Sequence, residues 1–423
     1  MSPVGIHAAW RDSKSAAQTD FPRRITLALA WVGMRIRGGD GCIFKSGESM
    51  NFQQRFEAIR GDMSKEGIDL LLGFHDGTHF GGSVNALMML SGFRSMGDAV
   101  AMVDREGSAG MLVAPAWEAG RAAECAPHMK VTGVADTLAA LKDELARRRV
   151  PLARVGLAGL SVLPWEQAKR ITALFENKAK TADQIIVRHA GAKTEEEVGN
   201  ARHATLIAEK GYARMLELAR PGVREDDLAV DLRWYMKTLG AEDNFLMLNA
   251  GPHNKAVQPC SSREMEPGDL LLTELSPIYK GQMTQICRTI VMGRATPEQK
   301  RCYQILIDGY ENGEKAAKPG VPMAKVCDAV DEVIDGAGYA EYGRPPYLRL
   351  RRRGHGLGFG CDLPGDVGPD NDIILEPGMV FVLHPNQYLP ETGYMMCGEP
   401  LLITATGSEA LSRTKAVLGE VAL

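Results

Sequence analysis

The chain has 423 residues, of which 45% are apolar and 24% are charged, and its formal net charge at pH 7 is −4. This composition is typical of a soluble globular protein of two or three domains and argues against an extended nucleic-acid-binding surface. None of the eight cysteines belongs to a CxxC pair, which argues against a zinc ribbon and fits the reducing cytoplasm, where we expect the protein to be located.

The amino-terminal 49 residues show no strong periodicity. Residues 23–34 form an apolar run that opens with two arginines, but this run is too short to cross a membrane. No A-x-A cleavage site follows it. We therefore predict that residues 1–49 are a disordered or non-native extension and that the protein has no membrane partner.

Strand and helix patterns alternate after residue 50. Helical spacing of apolar residues begins at Phe52 and continues to Glu66. The alternation predicts an α/β domain over residues 50–182. Its expected strands lie at 68–72, 99–103, 110–113 and 155–158, and its further helices at 116–124, 136–148 and 164–175.

The second half of the chain contains an internal echo. Thr194 and Glu197 form a capping-box pattern at the start of one long helix, and Thr296 and Gln299 form another. The sequence Ala-Arg-Pro-Gly-Val that ends the first helix region returns 98 residues later as Ala-Lys-Pro-Gly-Val. Two matched helix–helix–sheet units predict a pseudo-twofold domain over residues 183–423.

Four ionisable residues of this domain lie in strand-like surroundings. His355 is flanked by a glycine on each side, so that backbone or a ligand can approach its ring closely. Glu274, His384 and Glu399 each lie within an apolar run that is typical of a strand. Together they predict a polar pocket inside a sheet domain.

Four short motifs occur in a characteristic order: Glu266-Pro267-Gly268-Asp269-Leu270, Cys287-Arg288-Thr289, Gly354-His355-Gly356-Leu357-Gly358 and Leu375-Glu376-Pro377-Gly378-Met379. In order and spacing they resemble the superfamily of creatinase, aminopeptidase P, prolidase and methionine aminopeptidase. This resemblance implies an α/β (α+β) fold class, with a creatinase-like amino-terminal α/β domain and a carboxy-terminal pseudo-twofold domain called the pita-bread fold. It also implies a homodimer in which each amino-terminal domain reaches the partner's active site.

The resemblance also locates candidate metal ligands. Peptidases of this superfamily bind two metal ions through two aspartates, one histidine and two glutamates. At the corresponding positions this chain has Glu274, Gln285, His355 and His384, and the fifth is either Glu399 or a residue one place away. Two carboxylates and a neutral amide do not supply the negative charge that two divalent cations and a hydroxide need. We therefore expect no standard two-metal site.

The preferred hypothesis is a hydrolase of the creatinase or ectoine hydrolase type, which by resemblance cleaves a C–N bond in a small polar, carboxylate-bearing non-peptide substrate without a cofactor. Glu274 would act as nucleophile or general base, because burial raises the pKa of a carboxyl group. His355 and His384 would transfer protons and polarise the substrate. Glu399 would orient an imidazole, and Gln285 would stabilise an oxyanion.

Five further residues are candidates for substrate contact. Arg94 lies where creatinase-type domains hold a substrate carboxylate, a role that suits a guanidinium; the alternative is a surface position. We expect Cys287 to line the pocket rather than to attack the substrate, since strand alternation places it on the pocket face. His253 follows a Gly-Pro pair, and His75 and His79 lie near the end of a predicted strand, where the alternative for both is the surface.

Two other functions stay open. A mononuclear enzyme would hold one zinc, iron or manganese ion through Glu274, His355, His384 and Glu399, and would catalyse hydrolysis or a lyase reaction. A catalytically silent module would use the same pocket to bind a peptide or a protein. The arginine-rich run at 349–353 is either a surface patch or an anion clamp at the pocket mouth.

Overall fold

The computed structural model describes residues 52–75, 84–344, 346–347 and 352–422. The extension expected over residues 1–49 lies outside these ranges, and so does His79. None of the described helices is both long and apolar enough to cross a bilayer.

A six-stranded mixed sheet forms the amino-terminal part of the fold. Its strands are β1 (Leu70–His75), β2 (Ala99–Asp104), β3 (Ala109–Val113), β4 (Lys130–Gly133), β5 (Val155–Ala158) and β6 (Lys180–Thr181), in the spatial order β4-β3-β2-β1-β5-β6. Its helices are α1 (Phe52–Glu66), α2 (Ala86–Ser91), α3 (Ala119–Cys125), α4 (Thr137–Arg148), α5 (Trp165–Leu174) and α6 (Asp183–Gly191).

Helices cover both faces of this sheet, as an α/β fold requires. Apolar side chains of α1, α2, α3 and α6 form one core cluster, and those of α4 and α5 form another. The predicted helix over residues 52–66 and the predicted strand over 155–158 are confirmed. The strand predicted at 68–72 begins two residues later, at Leu70.

The carboxy-terminal part contains two long helix pairs and three smaller sheets. Its helices are α7 (Glu195–Leu218), α8 (Glu225–Thr238), α9 (Pro297–Ala316) and α10 (Met323–Gly336). Its strands are β7 (Asp243–Gly251), β8 (Leu270–Tyr279), β9 (Gln282–Met283), β10 (Ile286–Met292), β11 (Gly354–Gly356), β12 (Val380–Leu383), β13 (Gln387–Leu389), β14 (Gly393–Met395), β15 (Glu399–Ile403), β16 (Ser408–Ala410) and β17 (Gly419–Val421).

The sheets divide between the two helix pairs. One sheet has the order β17-β10-β8-β7, with β9 also paired to β8, and its apolar face packs with α7 and α8. A second sheet has the order β11-β12-β15-β16 and packs with α9 and α10. Strands β13 and β14 form a separate hairpin.

Corresponding turns relate the two halves of this part. The Gly222 N–H donates to the Met265 carbonyl at 2.8 Å, and the Gly320 N–H donates to the Leu375 carbonyl at 2.8 Å. Both glycines have left-handed backbone angles, with φ of 86° and 85°. Both predicted capping boxes are also formed. The internal echo of the sequence is therefore a structural repeat.

A second pair of hydrogen bonds extends the repeat into the sheets. The Gly268 N–H donates to the Met292 carbonyl at 2.7 Å, and the Gly378 N–H donates to the Ile403 carbonyl at 2.9 Å. The β8–β10 pair thus corresponds to the β12–β15 pair. This arrangement confirms the pseudo-twofold domain and the predicted fold class.

The two sheets meet at a backbone bridge between β10 and the residue that precedes β15. The Cys287 N–H donates to the Gly398 carbonyl at 3.0 Å, and the Gly398 N–H donates back to the Cys287 carbonyl at 3.2 Å. Cys287 lies five residues before Met292, and Gly398 lies five residues before Ile403. Each therefore stands at the same place in its half, and the bridge lies on the pseudo-twofold axis.

Contacts from the amino-terminal part hold the loop that follows His355. Arg55 and Glu197 form a buried ion pair at 2.7 Å, and the Arg55 guanidinium lies 5.8 Å from the centre of the Phe359 ring. Phe359 belongs to the amino-terminal core, and its carbonyl accepts a hydrogen bond from the Asn85 N–H at 3.1 Å. The loop is therefore fixed from both parts of the chain.

The repeat predicts equal costs for two substitutions. Gly222→Ala and Gly320→Ala should each lower the free energy of unfolding by about 1–2 kcal/mol, because each places a Cβ in a left-handed conformation. The exposed helical Gly199 is the matched control, and Gly199→Ala should stabilise the protein by about 1 kcal/mol. Urea unfolding measures all three, and a clear difference between the first two would contradict their equivalence.

Candidate active site

The pseudo-twofold axis relates Glu274 to His384. Glu274 lies six residues after Gly268, and His384 lies six residues after Gly378. The repeat therefore places a carboxyl group and an imidazole at the same position of the two matched strand pairs.

Both residues lie against the backbone bridge at the axis. Glu274 is the cross-strand partner of Cys287, and such partners project from the same face of a sheet. A Cβ added to Gly398 would lie 2.6 Å from the His384 Cβ and 3.1 Å from the Cys287 sulfur. Only glycine fits there, and its absent side chain is what lets the imidazole and the thiol approach each other.

His355 lies on the same face as His384. It pairs with Val382 across β11 and β12, two residues before His384, and the two imidazole centres are 5.7 Å apart at an angle of 67°. Its Nδ1 lies 3.0 Å from the Gly356 carbonyl. A carbonyl only accepts, so Nδ1 carries the proton, and Nε2 is left as a hydrogen-bond acceptor.

The glycines beside His355 are explained by backbone packing. A Cβ on Gly354 would lie 1.9 Å from the Val382 carbonyl oxygen, and a Cβ on Gly356 would lie 1.7 Å from the Asp362 carbonyl oxygen. The main chain on both sides thus comes close to β11, as the glycine pattern predicts. A residue larger than glycine at position 354 or 356 would therefore displace β11 and the His355 ring that it carries.

Burial sets the protonation states of these three groups. It raises the pKa of Glu274 to about 7, with burial as the only cause. Burial, together with the neighbouring His355, lowers the pKa of His384 to about 3. Burial also lowers the pKa of His355. Near neutral pH both imidazoles are therefore uncharged, while Glu274 exchanges a proton readily.

Gln285 and Cys287 line the same face but are engaged with each other. The Gln285 amide nitrogen lies 3.5 Å from the Cys287 sulfur, and its amide oxygen lies 3.4 Å from the Ser276 hydroxyl. Burial and the nearby Glu274 raise the pKa of the Cys287 thiol well above its ordinary value. A protonated thiol is a poor nucleophile, which favours a lining role for Cys287.

An apolar and aromatic surface surrounds this group. Leu272, Cys287, Tyr394 and Met396 form a buried cluster against which Tyr388 packs. Leu272 lies two residues before Glu274 and so faces the same side. No local sequence pattern marks the two tyrosines, because their place beside β8 depends on the fold of the β13–β14 hairpin.

Glu399 does not join the other four predicted residues. It pairs with Leu383, which packs into the core beneath α9 and α10, and so it faces away from Gly398 and His384. Its carboxylate forms a buried ion pair with Arg288 at 2.8 Å. The residue one place away, Gly398, is the one on the face shared by His384 and Cys287. The role of Glu399 as an orienter of an imidazole therefore has no support in this geometry.

Arg94 lies away from Glu274. Its guanidinium pairs with Asp243 at 3.0 Å and is partly exposed. Asp243 begins β7, four residues before the residue that pairs with Glu274. Within one chain, Arg94 is therefore not placed to hold a substrate at Glu274.

The predicted substrate histidines have different surroundings. The ring of His253 lies 5.6 Å from that of Tyr388, at the edge of the aromatic surface. His75 is the last residue of β1 and is buried, beside side chains of α4 and α5 rather than on a loop. His79 lies outside the described residues.

The arginine-rich run does not form the predicted clamp through Arg353. This side chain is fully buried and donates from Nε to Asp331 at 2.8 Å. Arg352 pairs with Asp366 at 2.9 Å on the surface. The remaining arginines of the run lie outside the described residues.

The side chains present do not fit the two-metal site of the peptidases. Glu274 is the single carboxylate that the described residues bring to this face, beside two neutral imidazoles, an amide and a thiol. Among the described residues, no three His, Cys, Asp or Glu side chains are grouped so that they could hold a metal ion. Two divalent cations would lack the anionic oxygens they need.

The fold and these positions define a pita-bread protein with an altered centre. Residues 199–405 match the family model described as metallopeptidase family M24. The chain is 29% identical to a Xaa-Pro dipeptidase of Pyrococcus furiosus over 239 residues, and this alignment covers 56% of this chain and 67% of that protein. It is 30% identical over 230 residues to an uncharacterized peptidase of Bacillus subtilis, covering 52% and 62%.

A solved structure shows the same fold. The prolidase from Pyrococcus horikoshii OT3 superposes with a TM-score of 0.74 over 86% of this chain and 99% of that chain, at 24% identity. The sequence matches span about two thirds of the length of the relatives named above. The sequence and fold matches together support the assignment of the chain to the superfamily of creatinase, aminopeptidase P and prolidase.

The buried ion pair between Glu399 and Arg288 predicts that removing one of its charges has a large effect on stability. Glu399→Gln should lower the free energy of unfolding by about 3–5 kcal/mol, because it leaves Arg288 buried without its charged partner. Glu409→Gln, which removes a half-exposed ion pair with Arg202, should change it by less than about 1 kcal/mol. Thermal and urea unfolding measure both, and equal effects would contradict this assignment.

Glu274→Gln should alter the pH dependence of stability. The carboxyl has a pKa of about 7 in the fold against an ordinary value of 4.5, so the folded protein holds an extra proton between these values. Its ionisation therefore costs stability as the pH rises through that window. We expect the variant to gain stability relative to the wild-type protein from pH 5 to pH 8 in thermal melts. A constant difference across this range would show that Glu274 titrates normally.

Proposed function

We propose that this protein is a hydrolase that cleaves a C–N bond in a small polar non-peptide molecule without a resident metal ion. The match to family M24 and the dipeptidase relatives support hydrolysis as the reaction class. The single observation that carries the finer proposal is Glu274, a carboxyl with a pKa of about 7 that shares one pocket face with two neutral imidazoles.

Glu274 supplies the acid–base chemistry. Its carboxylate takes a proton from water, and the water oxygen forms the new bond to the carbon of the C–N group. The protonated Glu274 then returns that proton to the leaving nitrogen as the C–N bond breaks. One group can serve both steps because its pKa lies near the working pH.

The two imidazoles position the reactants. Nε2 of His355 accepts a hydrogen bond because its Nδ1 proton is directed to Gly356. His384 is neutral near pH 7, so it orients water or substrate by hydrogen bonding and does not serve as a proton store. The sequence-based role of Gln285 at an oxyanion stays a prediction, since its amide already contacts Cys287 and Ser276.

Two parts of the sequence-based hypothesis stay predictions. A carboxylate on the substrate was inferred from Arg94, which within the chain pairs with Asp243. In a homodimer whose amino-terminal part reaches the partner's active site, Arg94 could bind the substrate carboxylate in that site.

The mononuclear metal enzyme is the alternative. Glu274, His355 and His384 would remain as its ligands, because Glu399 faces Arg288 on the other side of the sheet. These three side chains would have to move closer together, since no three such groups of the described residues are arranged to hold a metal ion. Metal analysis of the purified protein separates the two functions. Near-stoichiometric zinc, iron or manganese, lost together with activity on chelation, would reject the metal-free mechanism.

Glu274→Gln should lower kcat at least about 100-fold on the substrate, because the carboxylate is the proton acceptor. We would screen a guanidino acid, a cyclic amidine and an Xaa-Pro dipeptide. The acidic limb of the pH profile should have an apparent pKa of about 7, since the ionised form of Glu274 is the base. The exposed Glu266 provides the control, and Glu266→Gln should retain full activity. Peptide binding without turnover would instead support the silent module.

A further inference from the structure

A fully buried arginine, Arg353, is joined to the segments that carry both imidazoles and has no part in the acid–base steps. It lies two residues before His355, and its carbonyl accepts a hydrogen bond from the His384 N–H at 2.8 Å. Its own N–H donates to the Val367 carbonyl at 2.7 Å. The backbone of Arg353 therefore connects the strand of His355 to the residue that carries the second imidazole.

The Arg353 guanidinium holds the turn that follows His384. Its Nη1 donates to the Asn386 carbonyl and to the Gln387 side-chain oxygen, each at 3.1 Å. The Asn386 N–H donates to the His384 carbonyl at 2.6 Å. The Asn386 side chain accepts a hydrogen bond from the Cys397 N–H at 3.1 Å, beside the backbone bridge. One guanidinium thus fixes the backbone on the carboxyl side of His384.

Helix α10 anchors this guanidinium. Its Nε donates to Asp331 at 2.8 Å, and the exposed fractions of the Arg353 and Asp331 side chains are 0% and 10%. A guanidinium is planar, and its N–H groups have fixed directions. Because Nε is directed to α10 while Nη1 is directed to the turn after β12, the group has one orientation.

The ion pair between Arg353 and Asp331 has little advantage in stability over an apolar pair. The loss of hydration of two buried charges roughly cancels their attraction. The Nη2 group of Arg353 has no hydrogen-bond partner among the described residues, which adds to this cost. Two apolar side chains in the same space are often at least as stable. Such side chains could not supply N–H groups that are directed to three acceptors at once.

We propose that Arg353 is a positioning residue, which fixes the distance and the angle between the imidazoles of His355 and His384. The two ring centres are 5.7 Å apart at an angle of 67°. This geometry determines where water or substrate can be held by both rings, and small displacements of such groups reduce the rate of a reaction. The inference rests on the proposed function, because it concerns the same two imidazoles.

An apolar replacement of the whole ion pair separates positioning from stability. The double variant Arg353→Met, Asp331→Leu leaves no charge of the pair unpaired, so its melting temperature should stay within about 5 °C of the wild-type value. The side-chain nitrogen signals of His355 and His384 should nevertheless shift in the NMR spectrum of histidine-labelled protein, because the turn is no longer held. His355→Gln and His384→Gln identify the two signals.

Two results with this double variant would overturn the proposal. Unchanged signals of both histidines in the folded variant would show that Arg353 does not position their rings. A variant that fails to fold would show that the ion pair serves stability instead.

Arg353→Lys tests the same idea while it keeps a positive charge beside Asp331. A single ammonium group cannot reach all three acceptors in the directions of the guanidinium. The His384 signal should shift, and kcat on the substrate should fall at least about 10-fold while KM changes less than about 2-fold.

Arg214→Lys is the matched control for this variant. Arg214 donates from two nitrogens to Asp231, at 3.0 and 3.2 Å, and joins α7 to α8 on the surface. Its replacement should change neither kcat nor the histidine signals. Full kcat in Arg353→Lys would overturn the proposal.

Failure of this proposal is distinguishable from failure of the proposed function. Shifted histidine signals without turnover of any compound leave the positioning role standing and remove the metal-free hydrolase. Glu274-dependent turnover that Arg353→Lys leaves unchanged has the opposite meaning.

Discussion

The backbone bridge between Cys287 and Gly398 is the constraint on which the rest of the carboxy-terminal part depends. It joins the two sheets at the pseudo-twofold axis, and the Arg288 guanidinium reinforces it by donating to both bridging carbonyls, at 3.0 and 2.9 Å. The same guanidinium pairs with Glu399 on the outer face. Because Gly398 has no side chain, His384 can lie against Cys287 on the inner face.

Charge is distributed unequally between the two faces of these sheets. On the outer face, where Glu399 lies, the buried Arg288 guanidinium and the buried Glu399 carboxylate neutralise each other. On the inner face Glu274 has no such partner among the described residues, so its pKa rises toward neutrality. One carboxyl and two neutral imidazoles thus share the inner face.

The position of His355 depends on both parts of the chain. The loop after it folds back so that Gly356 touches the Asp362 backbone, and Asp362 forms a fully buried ion pair with Lys193 at 2.7 Å. Phe359 of the same loop packs in the amino-terminal core. A change in the contact between the two parts would therefore change the position of the His355 imidazole.

The sequence by itself determined the repeat, the capped helices and the strands that carry Glu274 and His355, because these follow from local periodicity, turn residues and motif spacing. Only the tertiary structure decided which face each side chain takes. A shift of one residue turned Glu399 outward and left Gly398 in the pocket, since successive strand residues face opposite sides. Likewise, the ion pair of Arg94 with Asp243 and the packing of Tyr388 and Tyr394 beside Cys287 join segments far apart in the chain, and no local sequence pattern predicts these contacts.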